Sequence, residues 1–141
     1  MSLAEILASI PHRKPMLLVD EIVERGEDFI VCKKTFTPDE FFFQGHYPDF
    51  PIVPGVILCE AAMQAGAVLL SKMVSGADGV PVAARMKDVK FKKMVRPGES
   101  VLLEARLTDR MKDAFFLSGK VSSDGKLAAS LTYTVTVAKK S

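Results

Sequence analysis

Few residues in this chain can bind a soft metal. Two cysteines, Cys32 and Cys59, and two histidines, His12 and His46, are the whole supply, and none of them stands at the short spacings of a zinc site. Two cysteines without a CxxC pair also make no disulfide framework; in apolar surroundings they read as reduced core residues of a cytoplasmic protein. Net charge is scarce as well. Nineteen lysines and arginines against seventeen acids leave +2, too little to argue for nucleic acid, so a charged partner would have to be met by a local patch. No charged leader precedes an apolar run and a small-residue cleavage site, so secretion is not expected. No internal repeat or low-complexity linker interrupts the chain. One apolar tract, 52–70, approaches membrane-spanning length, but Glu60 and Gln64 lie inside it, and both are costly in lipid. A helix buried in protein is the better reading.

What remains is the composition of a globular protein, 48% apolar and 26% charged over 141 residues. That length predicts one domain, 1–141, able to bury a real core. Ser2 to Ser9 reads as a short helix ended by Pro11, with PHRKP as an ordered connector. LLVDEIV (17–23) and FIVCKKTF (29–36) have strand composition and flank a hairpin signal centred on Gly26. The stretch 37–54 is too rich in proline, glycine and aromatics for a regular element, and loops of that length are usually functional. A helix is expected from Pro54 or Gly55 to about Ser75, stopped by Gly76 and Asp78-Gly79. It is apolar on nearly every face and must be surrounded. Strands are expected over 80–91, 100–109, 114–122 and 126–138, the last with Thr132, Thr134 and Thr136 alternating with Tyr133, Val135 and Val137. The fold class is α+β, a curved antiparallel sheet wrapped around one long central helix.

Chemistry concentrates in QGHYPDFPIVPGVILCEAAMQ (44–64). His46 sits in a loop tightened by Gly45, Pro48, Pro51 and Pro54, and imidazole is the default general base near neutral pH. Glu60 lies on the following helix among Ile57, Leu58, Ala61 and Met63, where desolvation favours a protonated carboxyl able to donate. A base beside a neutral acid is the pairing that removes one proton while delivering another. Gln64, one turn after Glu60, can hydrogen-bond that carboxyl and orient it. The amides of Gly55 and Val56 open the helix and can stabilise a developing oxyanion. From the residues alone, a structural histidine and a merely paired glutamate stand as equal alternatives, and the reacting group is unspecified.

PHRKPMLLVDEI (11–22), FFFQGHYPDFPIVPGVILCEAAMQAG (41–66) and VKFKKMVRPGES (89–100) together resemble the 3-hydroxyacyl-acyl-carrier-protein dehydratases of type II fatty-acid synthesis, which have the hot-dog fold. The resemblance runs over almost the whole chain in order and spacing. It implies reversible loss of water from a (3R)-3-hydroxyacyl thioester to give the trans-2-enoyl thioester. His46 would take the C2 proton and Glu60 would protonate the departing C3 hydroxyl. Gly55 would polarise the thioester carbonyl, and Gln64 would orient Glu60. No cofactor is implied, since the substrate arrives on the phosphopantetheine arm of acyl carrier protein. The resemblance further implies a homodimer, in some members a trimer of dimers, with each site sharing its histidine and acid between two chains. An acyl tunnel would be lined from Phe41, Phe42, Phe43, Ile57, Met63, Phe91 and Met94, residues that serve equally well as core.

An acidic carrier would dock on basic residues: Lys90, Lys92, Lys93 and Arg96 in one segment, Arg13 and Lys14 in another. A solvated strand face is the alternative for each. The sequence departs from the family at Arg85-Met86-Lys87, where a small residue, a hydrophobic residue and an acid are usual. Val82 stands where some members carry an aromatic gate. Arg85 would shorten or gate the tunnel or point outward, and both departures bear on acyl-chain length. The rival readings are a hot-dog thioesterase or enoyl-CoA hydratase on the same architecture, and a catalytically silent acyl-binding homologue.

Overall fold

The apolar helix sets the architecture, because so much of it has to be covered. The computed structural model describes residues 2–74 and 80–138. In it helix α1 (Ser2–Ser9) precedes strands β1 (Glu21–Arg25) and β2 (Phe29–Thr35); a single 3₁₀ turn, Phe41–Phe43, then leads to helix α2 (Gly55–Leu70). Strands β3 (Val80–Phe91), β4 (Ser100–Met111), β5 (Ala114–Ser123) and β6 (Lys126–Ala138) complete the described elements. All six strands form one antiparallel sheet in the order β1-β2-β4-β5-β6-β3, curved around α2.

Ten of the sixteen residues of α2 are buried, so the sheet covers most of its circumference. Small side chains let helix and sheet approach closely. A Cβ built on Gly66 would fall 2.1 Å from the Tyr133 hydroxyl, and one on Gly119 would fall 3.3 Å from Ala62. The period-two pattern puts Ile30 and Cys32 of β2, Phe115, Leu117 and Val121 of β5, and Leu131, Tyr133 and Val135 of β6 into one core with Leu58, Ala61 and Val68. Asp124 and Gly125 both take positive φ, 52° and 75°, which suits the tight β5–β6 hairpin.

Two expected boundaries move furthest, and the other strand ends shift only slightly. The first strand begins at Glu21 rather than Leu17, because the Leu18 amide donates instead to Gln64 Oε1 at 2.8 Å and the Leu18 and Val19 side chains turn into the core. The long helix ends at Leu70 rather than near Ser75. The Val68 carbonyl is drawn off by the Ser71 hydroxyl at 2.7 Å and the Arg25 guanidinium at 3.1 Å, and the chain tightens into a turn. The expected stops Gly76, Asp78 and Gly79 lie outside the described residues. Nor does α2 stand alone, since α1 also packs against it and buries Ile6 in the same core.

The two sheet edges differ. β1 is short, whereas β3 is twelve residues long and exposed over nearly its whole length, Val82, Met86, Val89 and Phe91 included. A long apolar edge with unpaired backbone groups is a template for another strand.

Candidate active site

The loop before α2 is fastened at both ends. Phe42 and Phe43 are buried, with Phe42 meeting Phe36 edge-on at 5.9 Å, and the Val53 amide donates to the Val95 carbonyl at 2.7 Å. Between these anchors His46 is fixed by its own loop: Nδ1 lies 3.1 Å from the Ile52 carbonyl. A carbonyl only accepts, so Nδ1 carries the proton, and Nε2 of the neutral ring keeps its lone pair.

Pro54 begins the helix without a side-chain cap, and its carbonyl accepts from Ile57 and Leu58 at 2.9 and 3.3 Å. The Gly55 and Val56 amides therefore come before the helical ladder. Both residues share with His46 a cavity of about 580 Å³, also lined by Phe91, Lys92, Lys93 and Met94. The Phe91 ring rests on Gly55, 2.7 Å from where a Cβ would stand.

Glu60 lines a different, smaller cavity of about 100 Å³, with His12, Met63, Gln64, Val82 and Ala83. Gln64 is 1% exposed, and its hydrogen bonds define its orientation. Oε1 accepts from the Leu18 amide at 2.8 Å, while Nε2 donates to the Met16 carbonyl at 2.7 Å and to Glu60 Oε2 at 2.9 Å. One carboxylate oxygen is thus tied down and Oε1 is left to exchange a proton. The Glu60 side chain keeps 31% exposure, so this chain alone does not supply the enclosure its sequence setting suggests. The structure does not bring His46 and Glu60 into one cavity within a single chain.

The other sequence candidates divide. Phe91 and Met94 line the His46 cavity and Met63 the Glu60 cavity, whereas Phe42, Phe43 and Ile57 pack in or against the core and line neither. Phe41 lines a third hollow with Lys14. Arg85 lines a separate hollow of about 320 Å³ with Lys87, Thr108, Thr132 and Thr134, and no α2 residue borders it. Among the basic residues, Lys90 and Lys92 are exposed. Lys93 pairs with Glu99 at 3.1 Å, and Arg96 lies over the Phe50 ring at 4.1 Å. Arg13 closes the end of α1 through the carbonyls of Leu7, Ile10 and His12.

Sequence reasoning passed over His12, whose ring reaches the Glu60 carboxyl, and the backbone clamp of Met16 and Leu18. Their segment, PHRKPMLL, carried part of the resemblance but read only as a connector. Both cysteines are free; burial pushes the Cys32 thiol up to about 12 and the Cys59 thiol up as well, so neither is an activated nucleophile. Among the described residues no cluster of His, Cys, Asp and Glu is placed to hold a metal, and no helix is long and apolar enough to cross a membrane.

The sheet and its wrapped helix define a hot-dog fold, with His46 and Glu60 lining separate cavities. The model of the FabA-like domain matches residues 10–132, and the chain belongs to the FabA-like family. It is 42% identical over 134 residues to the 3-hydroxyacyl-[acyl-carrier-protein] dehydratase FabZ of Streptococcus equi subsp. zooepidemicus, covering 95% of this chain and 96% of that protein. Among solved structures it resembles a chain of the dehydratase heterocomplex ApeI:P from Xenorhabdus doucetiae, with a TM-score of 0.81 at 16% identity over 99% of this chain and 93% of that one. It also resembles the E. coli PaaI protein of the phenylacetic acid degradation operon, with a TM-score of 0.65 at 18% identity over 82% and 80% of the two chains. The last two likenesses concern the fold, which hosts more than one function.

Proposed function

We propose that this chain, working as one domain over its whole length, catalyses the reversible dehydration of (3R)-3-hydroxyacyl-acyl-carrier-protein in type II fatty-acid synthesis, with each site shared between two protomers. One observation carries the shared site: His46 and Glu60 line separate cavities, and the exposed strand β3 borders both, Phe91 at the first and Val82 at the second. If two β3 edges pair about a two-fold axis, the Val82 end of one strand meets the Phe91 end of the other. The His46 cavity of one protomer then abuts Glu60 of the partner subunit, which encloses that carboxyl and completes the site.

In such a site the thioester carbonyl lies at the Gly55 amide, where the start of α2 favours negative charge. His46 Nε2 takes the C2 proton as enolate-like charge builds on that oxygen. Glu60 Oε1 gives its proton to the C3 hydroxyl, the C3–O bond breaks, and the C2–C3 double bond forms as water leaves. Gln64 holds Oε2 throughout. No electron or group carrier enters this balance, so the reaction needs no cofactor beyond the arm that carries the acyl chain. Met63, Met94 and Phe91 supply apolar walls for that chain.

Lys92 and Lys93 border the His46 cavity. A cation-lined mouth suits an acidic carrier protein delivering its substrate by the phosphopantetheine arm, with Lys90 and Arg96 in the same segment and Arg13 and Lys14 as a second candidate patch. Two free, buried thiols accord with a reducing, cytoplasmic setting. The direct assay follows enoyl-thioester absorbance when crotonyl- or 3-hydroxybutyryl-carrier protein is added. Interconversion of the two supports the reading, and release of free carrier thiol without it would favour hydrolysis instead.

A further inference from the structure

We infer that His12 is a positioning residue for Glu60, donating from Nε2 to the carboxylate that forms when Glu60 gives up its proton. The inference rests on the assignment of Glu60 as the acid. His12 Nε2 lies 3.8 Å from Glu60 Oε2, and the two side chains line the same small cavity. The other ring nitrogen, Nδ1, is buried and has no hydrogen-bond partner among the described residues. A neutral imidazole carries one proton. On Nδ1 that proton would be an orphaned buried donor, which is costlier and rarer than an unsatisfied acceptor. The favoured tautomer therefore puts it on Nε2, facing Glu60.

At 3.8 Å this is a contact short of a hydrogen bond, and such contacts often tighten only when the reacting complex forms. The demand arises at proton delivery. Gln64 already donates to Oε2 at 2.9 Å, and the new negative charge gains a second donor on the same oxygen from His12. Oε1 stays free for the substrate hydroxyl. The ring acts through Glu60 and need not touch the substrate.

The test compares His12→Gln, whose amide nitrogen reaches about as far as Nε2, with His12→Asn, whose amide falls short of Glu60. Both are polar, and melting temperatures check that both fold. The expected result is His12→Gln within a few-fold of wild-type kcat and His12→Asn roughly ten- to a hundredfold lower with little change in KM, the loss of one donor to a charge. In a Glu60→Gln background the Asn change should cost nothing further, because the acceptor charge never forms. Equal kcat for the two variants at equal melting temperature would overturn the inference, as would a loss confined to KM or full additivity with Glu60→Gln. Wild-type protein without dehydratase activity would instead refute the proposed reaction.

Discussion

His46 and Glu60 are held by different restraints. The loop carbonyl of Ile52 fixes which nitrogen of His46 is bare, and the Gln64 amide fixes which oxygen of Glu60 is free. Gln64 is itself locked by the Met16 carbonyl and the Leu18 amide, so the Glu60 carboxyl is oriented by backbone from another segment. His46→Ala and Glu60→Gln should each lower kcat by about 10²–10⁴-fold, since each removes a proton-transfer partner, with melting temperatures close to wild type. Stopped-flow absorbance of the enoyl thioester gives the rates. A variant that retained near-wild-type kcat would remove its residue from the mechanism.

At the scale of elements, α2 approaches the sheet closely where Gly66 meets Tyr133. The Tyr133 hydroxyl is buried and finds no hydrogen-bond partner among the described residues, and burial raises its pKa well above the ordinary phenol range. Gly66→Ala would drive a methyl into that oxygen and should cost about 1–3 kcal/mol. Tyr133→Phe removes an unsatisfied polar group, and should be neutral or stabilising by up to about 1 kcal/mol. In Tyr133→Phe the Gly66→Ala change should cost less, because the nearest remaining ring atom is 3.3 Å away. Urea denaturation of the four proteins measures this coupling, and strict additivity would contradict it.

These elements also show how much the sequence disclosed. The strands 80–91 and 126–138 were legible because long alternating or β-rich runs end at strong turn signals, Asp124-Gly125 among them. The start of α2 was legible from Pro54-Gly55, but its end was not, because Arg25 and Ser71 draw off the Val68 carbonyl and one of them comes from a distant strand. The hydrogen bond between Glu60 and Gln64 followed from helical spacing. His12 did not, since nothing local says that residue 12 folds back onto residue 60. Lys34 was equally opaque: it is buried in an ion pair with Glu40 at 3.0 Å that steadies the base of the His46 loop.

The whole molecule is governed by charge at one cavity mouth and by an exposed apolar edge. Carrier steering through Lys92 should make KM for the carrier-linked substrate rise with ionic strength, and Lys92→Glu should raise KM and flatten that dependence while leaving kcat unchanged. Steady-state kinetics across a salt series decides it; a KM indifferent to both salt and substitution would leave Lys92 a solvated face. Arg85 belongs to this scale too. Its hollow has no α2 wall and shares no residue with the cavities of His46 and Glu60.

The β3 edge carries the central claim, that one site needs two chains. Mixing unfolded His46→Ala and Glu60→Gln protomers and refolding them together tests it most directly. A shared site predicts that roughly half of the dimers are hybrids, each with one intact site and one doubly defective site, restoring about a quarter of wild-type activity from two inactive proteins. A mixture as inactive as its parents, with hybrid dimers demonstrably present, would contradict it.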